Sequence, residues 1–339
     1  MADLLHHSLV PSPRSSDTFA RERIIRNLEQ ILYLLVIVPL VAFLPAPLAY
    51  GLACLCGDWR YRHDRSTREQ IMRSLEGVLG DQLSPAERAR VTRDFFRRRS
   101  CQAIDVMRLA GRGRALARLI EMRGLEHIEA ALAAGKGAIL CSAHFGLFNG
   151  ACSLIAACGF PITVVGDWQS KSDSTMSPVH RVFWRLGYEG RVARHLRRPN
   201  IEPQKEGVGI GIRIAEVLRS NELVSMAIDI PAPVADRVRA VPVDFLGRQI
   251  LLLPGSVLLA QLTGSPVLVL VLRRSADWRH QVLEISPVPL DGDAVTAFKR
   301  CVSMLEAPIR QDLAHWDAWE NPQDLADLGL LSTYSLQEK

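Results

Sequence analysis

His144 closes a short apolar run, Gly137-Ala138-Ile139-Leu140-Cys141-Ser142, and is followed by Phe145-Gly146 and a helical pattern. A histidine at the carboxyl end of a buried strand, ahead of a glycine turn into a helix, stands where α/β sheets present reactive groups. Its imidazole titrates near neutrality, so it suits proton transfer to or from a hydroxyl. By spacing alone a lone histidine is more often a packed structural residue, and both readings stand at this point. Asp229 ends a second strand-like run, residues 223–230. Other signals are decoys. The run Gly207-Val208-Gly209-Ile210-Gly211 has Ile212 where a dinucleotide fingerprint continues, and Glu202-Pro203-Gln204-Lys205-Glu206, not an apolar strand, precedes it. Ala134-Gly135-Lys136-Gly137 lacks the glycine and the Ser/Thr of a P-loop, and there is no G-x-S-x-G elbow. No pair of histidines has metal-ligand spacing.

The elements that must hold these residues can be read in outline. Strand patterns at 137–142, 161–165, 223–230, 239–245 and 266–272 alternate with helical patterns at 147–158, 179–186, 210–218, 255–263 and 294–310. Residues 281–285 read as an edge strand. Such alternation predicts an α/β fold with a mixed, mostly parallel sheet flanked by helices. Residues 167–178 are polar and read as a loop.

The N-terminal third is different. Residues 31–57 contain no Asp, Glu, Lys, Arg or His. The run is long enough to cross a bilayer, yet Pro39, Pro45 and Pro47 interrupt a straight helix. A spanning, re-entrant or interfacial anchor is expected. Arginines flank it on both sides, and residues 59–125 hold 16 Arg and no Lys against 8 acids. Ser84-Pro85-Ala86-Glu87 has the form of a helix start, and the stretch after it reads as a basic amphipathic helix. Its basic face suits lipid phosphates or an acidic carrier protein, or is a solvated surface. The formal net charge of +5 does not argue for nucleic acid. Seven cysteines, an odd number with no C-x-x-C pair, suggest buried thiols rather than a disulfide frame. The chain divides by pattern into a polar extension (1–27), a hydrophobic anchor (28–57), a basic helical region (58–125), an α/β core (126–311) and an acidic tail (312–339) to which no function is assigned.

Taken in order, several phrases resemble one family. His144-Phe145-Gly146 after Gly135-Lys136-Gly137-Ala138-Ile139-Leu140 is similar to the H-x4-D/E block of bacterial lipid A late acyltransferases. Asp229, then Val243-Asp244-Phe245-Leu246-Gly247-Arg248, Leu253-Pro254-Gly255 and Thr263-Gly264-Ser265-Pro266-Val267, resemble the later blocks. The resemblance spans about residues 28–310. It implies a glycerolipid-acyltransferase-like fold with a membrane-anchor helix. The activity implied is transfer of a fatty acyl chain from a thioester, on acyl carrier protein or coenzyme A, to a hydroxyl of a lipid A-type or other glycolipid. His144 would be the general base. No metal and no cofactor beyond the co-substrate is implied, and the implied place is the cytoplasmic face of the bacterial inner membrane. Arg181, Arg185 and Arg248, with Gly247 and Asp229, are the substrate-binding candidates, since a guanidinium fork suits a lipid phosphate. Backbone N–H groups near Gly146, or an arginine, are candidates for the oxyanion.

One departure falls at the centre of the motif. The position five residues after His144 is Asn149, the second catalytic candidate, whose amide oxygen can accept a hydrogen bond from the imidazole but brings no charge to it. Either another carboxylate assists, with Asp229 and Asp167 as candidates, or the chain is an impaired or silent member that binds lipid or a partner protein.

Overall fold

The computed structural model describes residues 32–117, 120–166, 196, 200–232 and 234–331. Among these, six strands form the main sheet: β1 (Ile120–Arg123), β2 (Ala138–Ser142), β3 (Ile162–Val165), β4 (Leu223–Ala227), and β7 (Val267–Arg274) with β8 (Gln281–Pro287). Their spatial order is β1-β8-β7-β2-β4-β3. β7, β2, β4 and β3 run parallel; β8 is antiparallel to β7, and β1 follows β8. All five residues of β2 are buried, because alternate side chains enter cores on the two faces of the sheet. Ile139 and Cys141 join one core, Ala138 and Leu140 the other. Two-sided burial is why this strand reads as a continuous apolar run. Each fully buried Ile or Leu here is worth about 1.5–3 kcal/mol of transfer free energy.

The expected strands and helices of the α/β half fall close to their patterns wherever they are described. Helices Phe148–Ala157, Ile210–Arg219, Gly255–Thr263 and Ala294–Gln311 lie where the apolar spacing puts them. The helix expected at 179–186 lies outside the described residues. Two details differ. Residues 281–285 belong to an interior strand, since β8 carries β1 on its outer side. The 239–245 run is not in the main sheet. It forms β5 (Val241–Phe245) of a hairpin with β6 (Arg248–Leu252), joined by Leu246 and Gly247. Both turn residues have positive φ, 51° and 79°, as a two-residue hairpin turn requires. Glu306 accepts the Leu246 N–H at 2.8 Å and steadies that uncommon backbone.

The N-terminal region is helical but broken. Helix α1 (Val38–Phe43) ends before Pro45, and α2 (Ala46–His63) follows, with a short π-helical turn, Leu32–Ile37, ahead of both. No helix among the described residues is long and apolar enough to cross a membrane. Ala49, Tyr50, Ala53 and Gly57 bury one face of α2. They meet the 33-residue helix α4 (Pro85–Ala117), which follows α3 (Arg65–Leu79). At Gly57 the approach is so close that a Cβ would lie 2.5 Å from the Arg97 Cα. The opposite face of α2 exposes Leu48, Leu52, Leu55 and Trp59. At the start of α4 the helix-start pattern forms as read: Glu87 accepts the Ser84 N–H at 2.8 Å, and Ser84 Oγ accepts the Glu87 N–H. A buried polar group ties these helices to the sheet. Tyr50 donates to Asp105 at 2.6 Å, and Asp105 also pairs with Arg274 at the end of β7.

Residues 312–331, at the start of the stretch read as an acidic tail, pack into the body. Trp316, Trp319, Leu325, Leu328 and Leu330 are buried in the larger core. Acids at its surface positions dominate the composition, while the apolar residues that anchor it are few and widely spaced.

Candidate active site

The register of the sheet builds the site. β2 and β4 pair so that Ser142 lies opposite Ala227. His144 and Asp229 each come two residues later, so the two chains leave the sheet side by side with these side chains adjacent. Beyond this point the chain after β2 runs to β3, past β4, whereas the chain after β4 continues to β7, past β2. The helix after β2, Phe148–Ala157, buries Ala151 and Leu154 in one core, and the helix before β7, Gly255–Thr263, buries Val257 and Ala260 in the other. The two connections therefore pass to opposite faces of the sheet and leave a crevice at the carboxyl ends of β2 and β4.

The imidazole Nδ1 of His144 lies 2.9 Å from Asp229 Oδ1. The other carboxylate oxygen, Oδ2, accepts the backbone N–H of His144 at 2.9 Å and the indole N–H of Trp316 at 2.8 Å. The Asp229 side chain is 6% exposed and that of His144 37%, so the carboxylate is withdrawn while the ring reaches the surface. Burial pushes the Asp229 carboxyl up. The charge and hydrogen bond of His144, the indole and the backbone N–H together outweigh it and hold the group below the usual carboxylate range. The Phe148 ring meets the imidazole edge to face at 4.8 Å.

The loop carrying His144 is fixed from behind. Gly146 has φ +63°, and a Cβ there would lie 2.3 Å from the Leu272 carbonyl, so only glycine fits. Its N–H donates to the His315 carbonyl at 2.8 Å, and its carbonyl accepts Gln102 Nε2 at 2.6 Å. Of the backbone N–H groups near Gly146, its own is thus engaged by the strand-like segment at His315. Phe145 bridges Trp316, and the Asp317 N–H donates to the His144 carbonyl at 2.8 Å.

The other sequence candidates are placed differently. Asn149 lies in the first turn of the helix Phe148–Ala157; its side chain is outside the described set. Arg181, Arg185 and Asp167 lie outside the described residues. Gly247 sits in the hairpin turn. Arg248 donates through Nη2 to the Gly77 carbonyl at 2.6 Å and through Nε to Val78, so its guanidinium caps the end of α3. That arrangement does not bring it to the imidazole. Residues that the sequence reading missed, Trp316, Asp317, Gln102 and the buried Arg98, come from the two segments without strand patterning. Arg98 pairs with Asp317 at 2.5 Å. No local signal marks them.

A histidine oriented by a buried carboxylate at adjacent strand ends has the geometry that proton transfer requires. The chain belongs to the bacterial lipid A biosynthesis acyltransferase family, whose sequence profile matches residues 20–319. Members of that family are acyltransferases of lipid A-type synthesis. No curated individual protein matches the chain.

Proposed function

We propose that the protein is a membrane-associated O-acyltransferase in which His144 is the general base and Asp229 its orienting carboxylate. The single observation that carries this is the 2.9 Å contact between His144 Nδ1 and Asp229 Oδ1. With Nδ1–H donating to the carboxylate, Nε2 presents the lone pair. The acceptor hydroxyl gives its proton to Nε2 as its oxygen attacks the thioester carbonyl. The new C–O bond forms, the C–S bond breaks, and the proton passes to the departing thiolate. Asp229 stabilises the imidazolium between the two steps. Asn149 brings no acid to the ring, and in this reading Asp229 supplies the carboxylate from the end of the neighbouring strand instead.

The donor in this reading is an acyl thioester on acyl carrier protein or coenzyme A, and the acceptor is a lipid A-type or related glycolipid. Arg181 and Arg185 remain proposed phosphate or carrier contacts. For Arg248 the carbonyls of α3 compete with that role. The exposed face of α2 supports membrane attachment. Leu48, Leu52, Leu55 and Trp59 recur at helical spacing, and Leu40 and Phe43 of α1 extend the surface. Arg62 follows exposed at the helix end, where anionic lipid would meet it, whereas the Arg60 guanidinium lies over the Phe96 ring of α4. A shallow helix at the cytoplasmic surface of the inner membrane fits this face.

The test is conversion of a labelled acyl thioester to acylated lipid by the purified protein. His144→Ala is expected to lose about 10²–10⁴-fold in turnover while still folding. Undiminished turnover in that variant removes the histidine from the mechanism.

A further inference from the structure

Asp229 turns Oδ1 to the His144 ring and shares Oδ2 between the His144 backbone N–H and a second donor. Its Oδ2 holds the Trp316 indole N–H at 2.8 Å, and Trp316 is fully buried. The indole itself cannot turn away. It packs edge to face with Trp319 at 5.0 Å and with Phe245 of the hairpin at 5.4 Å. Its backbone is equally constrained. Residues 315–317 run antiparallel beside 144–146, with hydrogen bonds from Gly146 to His315 and from Asp317 to His144, and Asp317 is anchored by the buried Arg98. Residues 312–320 are therefore a strap that touches both members of the proposed pair. It holds His144 through the backbone and Asp229 through the indole.

We infer that Trp316 is a positioning residue for the His144–Asp229 pair, its N–H holding the carboxylate so that Oδ1 faces the imidazole. The inference rests on the proposed proton-transfer role of that pair. The physical reason is that a buried carboxylate needs donors on both oxygens to stay ionised in one rotamer. Without the indole, Oδ2 keeps only the His144 backbone N–H. The charge is then less shared, Oδ1 binds the imidazolium more strongly, and the carboxylate is freer to rotate.

Trp316→Phe removes the donor and keeps a ring against Trp319 and Phe245. His144 is exposed enough to react with diethylpyrocarbonate, and its modification rate against pH, followed by peptide mass spectrometry, reports its protonation without any turnover. The midpoint is expected to rise by about half a pH unit in Trp316→Phe. The shift should vanish when the same substitution is made in Asp229→Asn. His315, Asp317 and Arg98 also border the loop, and the Arg98–Asp317 pair is present in every variant compared. Turnover is expected to fall about five- to tenfold with KM within about twofold. A merely structural tryptophan would lower thermal stability and leave the midpoint where it was, and that result overturns the role. Should Trp316→Phe fail to fold, indole ¹⁵N–¹H resonances of the unaltered protein decide. One of them must titrate in step with His144 and stop doing so in His144→Ala; if none does, the role is refuted. The two readings fail separately. An active His144→Ala sinks the acyl-transfer base, whereas an unmoved midpoint with an inactive His144→Ala sinks only the function of Trp316.

Discussion

Asp229 stands 85 positions from His144 and supplies what position 149 does not. If this carboxylate orients the ring, Asp229→Asn is expected to lower turnover by about 10²–10⁴-fold, because an amide at Oδ1 selects the wrong tautomer. Asn149→Ala, in contrast, should keep turnover within about threefold of the unaltered enzyme. A steep loss there, with Asp229→Asn mild, would reverse the assignment. The Asp229 carboxyl also links folding to pH. Its folded value lies below the ordinary one, so its contribution is present above about pH 4 and is lost as pH falls through the folded value. Other carboxylates held low, Asp58 and Asp277 among them, give an acid slope of their own, so denaturant unfolding followed from neutrality into acid should show a shallower slope in Asp229→Asn than in the native sequence.

At the scale of elements, residues 312–331 bind the active loop to the body. Trp316, Trp319, Leu325, Leu328 and Leu330 are its buried anchors. Trp319 is fully buried and its indole donates to the Leu313 carbonyl at 2.7 Å. Trp319→Ala leaves a large void and is expected to cost about 3–5 kcal/mol, read as a lower denaturant midpoint. Gly146→Ala tests the other side of the same contact. Its Cβ would strike the Leu272 carbonyl, so the loop must shift, and activity should fall about 10²-fold or more with a smaller loss of stability. Equal activity with an added Cβ would show that the loop is not held as described.

For the whole molecule, the relation between the exposed apolar face of α2 and the His144 end of the sheet matters most. α2 rests on α4, and α4 supplies Gln102 and Arg98 to the strap and loop, so one helix joins the exposed leucine face to the site. Leu52→Asp together with Leu55→Asp places charge on that face without touching the buried side. Sedimentation with anionic vesicles should then drop at least tenfold, while turnover of a detergent-dispersed acceptor changes little. Unaltered sedimentation would place the membrane contact elsewhere.

Much of this molecule is local. The strands around 139, 164, 224 and 269, and the positions of His144 and Asp229 just past two of them, follow from apolar runs that must be buried on both faces. The broken apolar N-terminus follows from its three prolines. What no run of residues states is which strands lie side by side. The meeting of His144 with Asp229 depends on the Ser142–Ala227 register, which is set by the two cores filling together. The strap was invisible for a related reason. Its composition is acidic and its anchors are isolated tryptophans, whose burial only the assembled pocket around Phe245, Asp229 and the His144 loop decides.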